Sequence, residues 1–357
     1  MCISGYQPSQ EPNIVSLAGQ FAISDRFFSL ANAPSWGGHL NVVTGNLDGF
    51  TGDFPTPLKG TTAGIGWGCD SNKAAPWAPV LGGTTQKIPA CIPDPSLTYH
   101  GSPLPNGGAF APTPAKYEPT IMDELHSAGL PWKLYGGICA QETTAANGLL
   151  TCQKTVNAQG GGYDWAICPY FAECLYTQAS GMAPTGQFLT DAASGNLPAF
   201  AVVTPGAGYA QDSEHNGFSM TAGDNFIGQV ASAVMNSPDW SSTALFITWD
   251  DCGCFYDQVP PPLNPDGTQE GPRVPLVIVS PYARPAYTDT TPASAASILA
   301  FTEQNFGLTP LGPNDARAYN LSGAFNYAQA PLRPVPMATR RVPKGDHILW
   351  SQAMQES

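Results

Sequence analysis

Two adjacent carboxylates, Asp250 and Asp251, follow an apolar run in the stretch "ITWDDCGCFYDQV" (247–259). Neighbouring carboxylates repel each other and resist losing their hydration, so a metal ion, a pair of arginines or water must compensate for their charge. Such a pair at a strand end is often only a cap or an ion-pair site. It can also present oxygens to a hard divalent cation. The pair is therefore a candidate metal site, with a structural role as the alternative.

A serine and a histidine supply the other groups that phosphoryl transfer needs. Ser35 in "PSWGGHLNVVTGN" (34–46) is expected to be the N-cap of a helix, and capping alone accounts for it locally. The same geometry also aims its hydroxyl and the helix N-terminus at an anion. His215 in "DSEHNGFSM" lies in a loop between a predicted strand and a predicted helix, where a surface role is the alternative. Together with the aspartates, these groups are compatible with attack by a metal-activated serine.

The elements that must position these residues form the most regular part of the chain. In order they are strand "AFAVVTP", helix "MTAGDNFIGQVASAVMNSP", strand "STALFITWDD", strand "RVPLVIVSPYA" and helix "SAASILAFTEQNFGL". Short apolar β-rich runs separated by helices are typical of a parallel sheet covered on both faces. Functional groups gather at the carboxyl ends of such strands, where Asp250 and Asp251 lie. The predicted fold class is α/β, with three α/β/α layers around a mostly parallel central sheet.

The rest of the chain is less regular. Helical periodicity covers "PNIVSLAGQFAISDRFF" (12–28), while "TIMDELHSAG" and "PWKLYGG" predict a helix and a strand. Between these elements, about 50–118 and 137–198 are rich in loop-forming residues and contain cysteines, so we expect disulfide-stapled insertions. Residues 1–327 are expected to form one domain. The Pro/Arg/Gln-rich stretch 328–357 is expected to be a loose tail.

The composition excludes some classes of function. There are 14 basic against 27 acidic residues, which gives a net charge of −13. A chain of this charge repels phosphate backbones and anionic lipid, so we expect no nucleic-acid partner. No apolar run reaches the ~18 residues that a membrane-spanning helix needs, so no transmembrane segment is expected.

Nine cysteines in a chain of low charge indicate an oxidising compartment. We expect Cys69 to pair with Cys91 and Cys139 with Cys152, because these partners are close in sequence. Cys252 and Cys254 are too close to join each other without strain, which predicts bonds from them to Cys168 and Cys174. Cys2 is then the odd thiol.

Several segments of the chain resemble, in order, the bacterial and fungal phosphoesterase family that includes phospholipases C and acid phosphatases. The resemblance extends to about residue 327 and is carried by "LAGQFAISDRFF", "PSWGGHL", "MDELHSAGLPWKLYGG", "WAICPYFAECLYT", "SEHNGFSMTAGDNFIGQV", "SPDWSSTALFITWDDCGCFYDQVPPP", "RVPLVIVSPYARPAYTDTT" and "ASILAFTEQNFGL". It implies an alkaline-phosphatase-like fold and a metal-dependent phosphoric ester hydrolase of the phospholipase C or acid phosphatase type. The implied substrate is a phosphomonoester, a phosphodiester or a phospholipid head group.

The resemblance also implies roles for individual residues. Ser35 matches the nucleophile that forms a phospho-enzyme intermediate, and Asp250 and Asp251 match the metal-binding pair. With Ser35 they would hold a divalent ion whose identity the sequence leaves open. His215 matches a histidine near the substrate phosphate, and His39 falls where the family often has a basic or histidine residue. The catalytic set implied by the resemblance is therefore Ser35, His215 and His39.

Two departures from the family pattern lead to further expectations. The family's Glu-Asn metal motif has no clear counterpart, since Glu11 and Asn13 are neither adjacent nor preceded by an apolar strand. We therefore expect that the N-terminal part of the family's sequence, with a signal peptide, is missing, and that the protein is secreted or periplasmic. Gln258 replaces a histidine of the family's "FYDHV". A catalytically inactive secreted paralogue that binds a phosphorylated or glycan ligand is the alternative function.

Overall fold

The computed structural model describes residues 6–30, 33–57, 68–69, 71, 73–94, 113–136, 142–144, 150–152, 167–205, 212–215, 218–253 and 256–343. The helices in this part are α1 (Pro12–Gln20), α2 (Ser35–Thr44), α3 (Ile121–Ser127), α4 (Ala172–Thr177), α5 (Thr185–Ala193), α6 (Met220–Met235) and α7 (Ala295–Phe306). The strands are β1 (Ala22–Ser24), β2 (Phe27–Leu30), β3 (Thr56–Pro57), β4 (Lys73–Trp77), β5 (Gln86–Pro89), β6 (Trp132–Tyr135), β7 (Glu142–Thr144), β8 (Leu150–Cys152), β9 (Met182–Ala183), β10 (Phe200–Val203), β11 (Leu245–Thr248), β12 (Glu270–Arg273), β13 (Leu276–Val279), β14 (Tyr287–Asp289) and β15 (Ala293–Ser294).

The strand before the aspartate pair lies at one end of a four-stranded sheet with the order β11-β13-β1-β14. β13 is buried at all four positions, which suits its Leu-Val-Ile-Val sequence. It is antiparallel to both β11 and β1, while β14 is parallel to β1. Helices α1 and α6 pack against each other and against strands of this sheet. This arrangement holds the end of β11 within the main core.

The mixed α/β class is confirmed, but the described strands do not show the mostly parallel central sheet that the sequence suggested. In the four-stranded sheet two of the three pairings are antiparallel. The described chain between β11 and β13 contains no helix. A parallel pair needs a crossover connection, usually helical, whereas a non-helical return allows antiparallel neighbours. A parallel set does exist elsewhere, in the small sheet β10-β6-β9.

One predicted helix divides into three elements. The stretch 12–28 forms only α1 up to Gln20 and then continues as β1 and the start of β2. Phe21, at the C-cap, has extended backbone, and both it and Ala22 are fully buried. Periodicity alone does not separate a buried strand from the end of an apolar helix. Tertiary pairing of β1 with β13 decides the boundary here.

Disulfides support one predicted pairing and correct another. Cys69 is bonded to Cys91, as expected, in the first insertion. Cys168 is bonded to Cys174 rather than to Cys252 or Cys254, so that prediction is wrong. The turn-rich segment "CPYFAEC" brings the two sulfurs together locally, because Cys168 begins a 3-10 turn that leads into α4. The expected Cys139–Cys152 bond and the thiol of Cys2 lie outside the described residues.

The C-terminal segment (residues 328–343) differs from the expected loose tail. Asn13 Nδ2 donates to the carbonyl of Ala338 at 2.8 Å and accepts from its N–H through Oδ1 at 2.7 Å. Asn225 makes the same reciprocal pair with the backbone of Arg340. Leu332, Val335 and Met337 pack against the core around β13. These contacts tie the segment to α1 and α6.

Two large buried clusters belong to the described core, beside a smaller one around Tyr135 and Phe188. One surrounds β1, β11 and β13 together with α1, α6 and α7. The other is centred on Trp36 and Leu40 of α2 and includes residues of β4, α3 and β6. Leu299 of α7 belongs to this second cluster, and α2 packs directly on α7. One face of α2 is thus buried in apolar contacts, and the start of the helix faces the end of β11.

Candidate active site

Ser35 is the first residue of α2 and is only 5% exposed. Pro34, with extended backbone, occupies the N-cap position, so the prediction that Ser35 is the N-cap is off by one residue. The hydroxyl of Ser35 donates to Oδ2 of Asp251 at 3.0 Å. It therefore links the start of α2 to the loop that follows β11.

The aspartate pair lies just beyond the end of β11. The ladder with β13 ends at Thr248 and Leu276, and the preceding residue of the partner strand is Pro275, which has no N–H to continue it. Asp251 accepts the backbone N–H of Gly253 through Oδ1 at 2.7 Å, so each of its carboxylate oxygens has one hydrogen bond. The side chain of Asp250 is 36% exposed. The pair thus presents one anchored and one more open carboxylate.

Three residues on one face of α2 meet the aspartate pair. Positions i, i+3 and i+4 of a helix share a face, and here they are Ser35, Gly38 and His39. A Cβ on Gly38 would lie 2.0 Å from the carbonyl oxygen of Asp250, so only glycine permits this approach. His39 Nε2 lies 3.7 Å from Oδ2 of Asp250. Sequence reasoning missed Gly38. A glycine inside a predicted helix was the available signal, because it usually has a packing or functional reason.

His39 lies beside two carboxylates, yet its imidazole stays mainly unprotonated. Burial lowers the pKa of its imidazole below the ordinary value, and the negative charges of Asp250 and Asp251 oppose this shift. Loss of hydration disfavours the charged form and is the larger effect here. His39 is therefore mainly a neutral ring that can accept or donate one proton beside Asp250.

The third predicted catalytic residue, His215, is exposed in the loop before α6. Its backbone N–H donates to Ser213 Oγ at 3.1 Å, and its ring packs edge-to-face on Phe218 with centroids 5.5 Å apart. The neighbouring carboxyl, Glu214, has its pKa raised to about 8 by burial and by nearby acidic groups, and the adjacent indole of Trp249 lowers it in part. Because Trp249 directly precedes Asp250, this contact places the His215 loop beside the end of β11.

Glu11 and Asn13 occupy a different environment. The backbone N–H of Asn13 donates to Asp224 Oδ1 at 3.0 Å, and its side chain joins α6 to the C-terminal segment. Burial raises the pKa of Glu11, as does the charge of Asp224, while Arg340 lowers it. The charge of Glu11 also contributes to the raised pKa of Glu214. Asn13 therefore anchors α1 against α6 in the structure.

Metal ligation rests on few side chains in the part of the chain that the structure describes. No group of three or more His, Cys, Asp or Glu side chains there is arranged to hold a metal ion. The oxygens of Ser35, Asp250 and Asp251 are nevertheless of the type that hard divalent cations prefer. Ser35 Oγ and Asp251 Oδ2, at 3.0 Å, are close enough to share one ion. The donor set fits such an ion in chemistry and supplies only part of its coordination shell.

The geometry supports one type of chemistry best. A buried hydroxyl at a helix start is hydrogen-bonded to a carboxylate, with a second carboxylate and an imidazole next to it. A carboxylate that accepts the proton of a serine hydroxyl increases the nucleophilicity of its oxygen. The N–H of Gly37 already donates to the carbonyl of Pro34 at 2.9 Å, and the N–H groups of Ser35 and Trp36 at the start of α2 can stabilise an anion near Ser35. The arrangement suits nucleophilic attack on an anionic ester.

Comparisons with known proteins show what the chain is similar to. The family model described as "Phosphoesterase family" matches residues 1–309. A non-hemolytic phospholipase C of Burkholderia pseudomallei (strain K96243) is 26% identical over 257 residues, which cover 58% of this chain and 36% of that protein. Phospholipase C A of Mycobacterium tuberculosis (strain ATCC 25618 / H37Rv) is 27% identical over 270 residues, covering 67% and 49%. Non-specific phospholipase C6 of Arabidopsis thaliana is 29% identical over 185 residues, covering 44% and 36%.

The chain spans about a third to a half of the length of these curated relatives. Among solved structures, a phosphonate monoester hydrolase from Silicibacter pomeroyi matches with a TM-score of 0.39 and 15% identity, over 90% of this chain and 73% of that one. No helix in the described part of the chain is both long and apolar enough to cross a membrane.

Proposed function

The chain belongs to the phosphoesterase family, and on that basis we propose that it is a hydrolase acting on phosphoric esters. The observation that carries the proposal is the 3.0 Å hydrogen bond from Ser35 to Asp251, which joins a helix start to a strand end 216 residues away. The named activity of its relatives, phospholipase C, supports a phosphodiester of the phospholipid type as the first substrate class to test.

Ser35 acts as the nucleophile in this proposal. Its Oγ attacks phosphorus while the hydroxyl proton moves along the existing hydrogen bond to Asp251, and the leaving-group oxygen departs with a proton. Water then attacks the phosphoserine and gives one proton to His215, the Oγ–P bond breaks, and the proton held by Asp251 returns to Ser35 as phosphate or a phosphomonoester leaves. His215, exposed in the neighbouring loop, supplies the proton to the leaving group.

His39 has a positioning role in the same scheme. Its mainly neutral ring lies against Asp250, on the face of α2 that also presents Ser35. Burial of the ring fixes that carboxylate relative to the helix start. The contact keeps both aspartates next to the attacking oxygen, and displacement of a reacting group by about 1 Å can cost ~100-fold in rate.

We further propose that a divalent cation is held by Asp250, Asp251 and Ser35, with water completing its coordination. When bound, such an ion supplies charge neutralisation for the phosphoryl oxygens and lowers the pKa of a coordinated hydroxyl. The chemistry of the donor oxygens supports this assignment. Chelation should then abolish hydrolysis, and readdition of individual divalent ions would identify the one required.

The partial donor set favours one competing function. Since no three-residue metal group is present among the described residues, the chain can also be an inactive paralogue that binds a phosphorylated or glycan ligand. That function predicts ligand binding without turnover by both the parent chain and the Ser35→Ala variant.

The decisive experiment compares the chain with its Ser35→Ala variant on chromogenic phosphate mono- and diesters. We expect a loss of at least about 10⁴-fold in kcat/KM, as for removal of nucleophiles in serine hydrolases. Ser294→Ala is the matched control, because Ser294 caps α7 and lies outside the site. Acid quenching during turnover should leave a phosphoryl group on the peptide that contains Ser35. Undiminished activity of Ser35→Ala would refute the proposal.

We also propose that the protein works in an oxidising extracytoplasmic compartment. The support is the pair of disulfides, Cys69–Cys91 and Cys168–Cys174, both of which are buried. Disulfides of this kind persist outside the reducing cytosol. Thiol titration of the unreduced, denatured protein from its native source would check this, because four reactive thiols from these positions would contradict it.

A further inference from the structure

Glu214 is a buried carboxyl where the His215 loop, α6 and the end of β11 meet. Both of its carboxyl oxygens are shielded from solvent, and neither has a hydrogen-bond partner among the described residues. It directly precedes His215 in the sequence, and the indole of Trp249, the residue before Asp250, lies next to its carboxyl. One side chain thus lies between the residue proposed to protonate the leaving group and the residue that leads into the aspartate pair.

The side chain of Glu214 is packed closely on the first turn of α6. A Cβ on Gly223 would lie 2.2 Å from Cγ of Glu214 and 3.1 Å from its backbone nitrogen, so only glycine permits this packing. Ser219 caps the same turn, because its side chain accepts the N–H of Ala222. The start of α6 is therefore a fixed support, and the position of the His215 loop depends on how Glu214 lies against it.

Three acidic side chains meet here around the guanidinium of Arg340. Its Nη2 lies 3.4 Å from Oδ2 of Asp224, and its charge lowers the pKa of Glu11. Glu214 forms no ion pair with any described residue. Tyr6 faces the same group, since the charge of Glu214 contributes to the raised pKa of the phenol. Glu214 is thus the carboxyl of the three whose charge no described cation compensates.

Glu214 is accommodated as a neutral group instead. Burial, and then the charges of Glu11 and Asp224, raise its pKa to about 8, while Trp249 lowers it in part. An ionised carboxylate in this position would lack a partner and would be repelled by its two acidic neighbours. The packing of Glu214 between α6 and Trp249 is therefore stable below about pH 8 and is weakened above it.

We propose that Glu214 is a positioning residue, which holds the His215 loop between α6 and Trp249 and thereby keeps His215 next to the leaving group. The role deepens the proposed function and rests on it, because His215 protonates the leaving group there. A residue of this kind acts through His215, and misplacement of a reacting group by about 1 Å can cost ~100-fold in rate. It should matter for an ester whose leaving group needs a proton and not for one whose leaving group departs as a stable anion.

The test compares kcat/KM of Glu214→Ala and of the parent chain on an alkyl phosphate and on 4-nitrophenyl phosphate. We expect a loss of about 100-fold on the alkyl ester and of less than about 3-fold on the nitrophenyl ester. Glu214→Gln preserves the shape and the neutrality of the group, so it should keep most of the parent's activity on both esters at pH 6. Gly223→Ala displaces the loop while Glu214 remains, and it should show the same dependence on the leaving group.

Glu303→Ala is the matched control. Glu303 is also buried, with its pKa raised to about 8, but it lies on α7 beside Asp315. Its loss should lower the melting temperature and affect both esters alike. Thermal unfolding of every variant shows whether a lower rate reflects a smaller folded fraction.

The pH dependence supplies a second readout. Because ionised Glu214 cannot hold the contact, the alkyl-ester rate of Glu214→Gln relative to the parent should rise as the pH passes 8, by up to about 10-fold between pH 7 and pH 9. Tryptophan fluorescence follows the same contact without turnover. The parent should show a step near pH 8 that is absent from Glu214→Gln and from Trp249→Phe.

Equal losses on the two esters in Glu214→Ala, or identical fluorescence titrations of the parent and Glu214→Gln, would overturn the positioning role. So would a loss in Glu214→Gln at pH 6 as large as that in Glu214→Ala. A parent chain that hydrolyses neither ester would instead refute the proposed function, and with it the role of Glu214 in leaving-group protonation, even where the fluorescence step confirms the contact with Trp249.

Discussion

Asp257 and the pair Asp250–Asp251 lie only a few residues apart in the loop after β11, and their negative charges are compensated in different ways. Asp257 forms a two-point ion pair with Arg273, with Nε to Oδ2 at 2.8 Å and Nη2 to Oδ1 at 2.9 Å. This guanidinium holds the pKa of Asp257 well below its usual range. Asp250 and Asp251 ion-pair with no Lys or Arg in the described part of the chain, and their partners are His39, the hydroxyl of Ser35 and a backbone N–H.

Under the proposed function, the difference separates a structural carboxylate from a functional one. A carboxylate neutralised by arginine is satisfied and contributes to stability. One that faces a hydroxyl and an uncharged ring keeps the capacity to attract a proton or a cation. Function is therefore expected where compensation is incomplete, and stability where it is complete.

The largest expected effect comes from removing one charge of the incompletely compensated pair. Asp251→Asn should lower kcat/KM on a phosphate ester by about 10³-fold, since the acceptor of the Ser35 proton loses its charge. The melting temperature should stay the same or rise, because the repulsion from Asp250 is relieved. Steady-state kinetics and thermal unfolding of the same preparation check both parts. A large loss of stability with normal kinetics would make Asp251 structural, like Asp257.

The close contact between α2 and the backbone of Asp250 can be disrupted by a substitution that changes no charged residue. In Gly38→Ala the new methyl would lie 2.0 Å from the Asp250 carbonyl oxygen, so the helix or the loop must move. We expect about 100-fold lower activity from misplacement of Ser35. A loss of about 1–3 kcal/mol of stability should accompany it.

Gly19→Ala is its matched control, since nothing lies within 4 Å of a Cβ at Gly19. Because Gly19 is inside α1, alanine should leave activity unchanged and stabilise the protein by about 0.5–1 kcal/mol. Equal activity of the two variants would show that the contact of Gly38 with Asp250 does not matter for catalysis.

Substitution of Asp257, whose charge is compensated by Arg273, should lower stability and leave activity unchanged. Asp257→Asn should cost about 1.5–3 kcal/mol of unfolding free energy, the range for hydrogen bonds to charged groups. The activity per folded molecule should remain. Because the folded pKa of Asp257 lies below its ordinary 3.8, its contribution is fully present above that pH and is lost as the pH falls further. Urea unfolding at pH 7 and pH 3 tests this, and an equal deficit at both pH values would contradict it.

Protonation is a third way in which the protein accommodates a buried carboxyl, and we expect it to affect stability and not activity. Burial, and then a hydrogen bond and the charge of Asp315, raise the pKa of Glu303 from 4.5 to about 8. The folded state therefore binds a proton that the unfolded state releases above pH 4.5, and this contribution to stability is lost as pH rises through about 8.

Glu303→Gln mimics the protonated form. Its unfolding free energy should depend less on pH between 5 and 8 than that of the parent chain, and at pH 8 the variant should be the more stable of the two. Parallel slopes for the two proteins in this range would show that Glu303 is ionised in the folded protein.

Much of the local structure followed from short stretches of sequence. The helices α6 and α7 and the strands β6, β10, β11 and β13 form where their periodicity predicted. The family membership was evident from ordered motifs, and the Cys69–Cys91 bond from proximity in sequence. Apart from the disulfide, whose partners are 22 residues apart, these features depend on short-range patterns, which is why a single sequence contains them.

Other features depended on chain segments far apart in the sequence. The antiparallel direction of β13, the docking of the C-terminal segment on Asn13 and the role of Gly38 all arise from partners more than 25 residues away. The Cys168–Cys174 bond is an exception, because it is local and was still predicted wrongly. The prediction excluded a Cys252–Cys254 bond and then assigned those two cysteines to Cys168 and Cys174. Pairing direction and close backbone approach are set by how the connections pack, and many arrangements satisfy the same local preferences.

The candidate active site combines both levels. Sequence alone determined which residue types were present, namely a serine at a helix start and two aspartates after an apolar strand. Only the tertiary structure decided that Ser35 donates to Asp251 at 3.0 Å and that His39 lies against Asp250. The physical reason is the glycine at position 38, whose missing side chain lets α2 reach the backbone of Asp250, a contact that no local preference of either segment encodes.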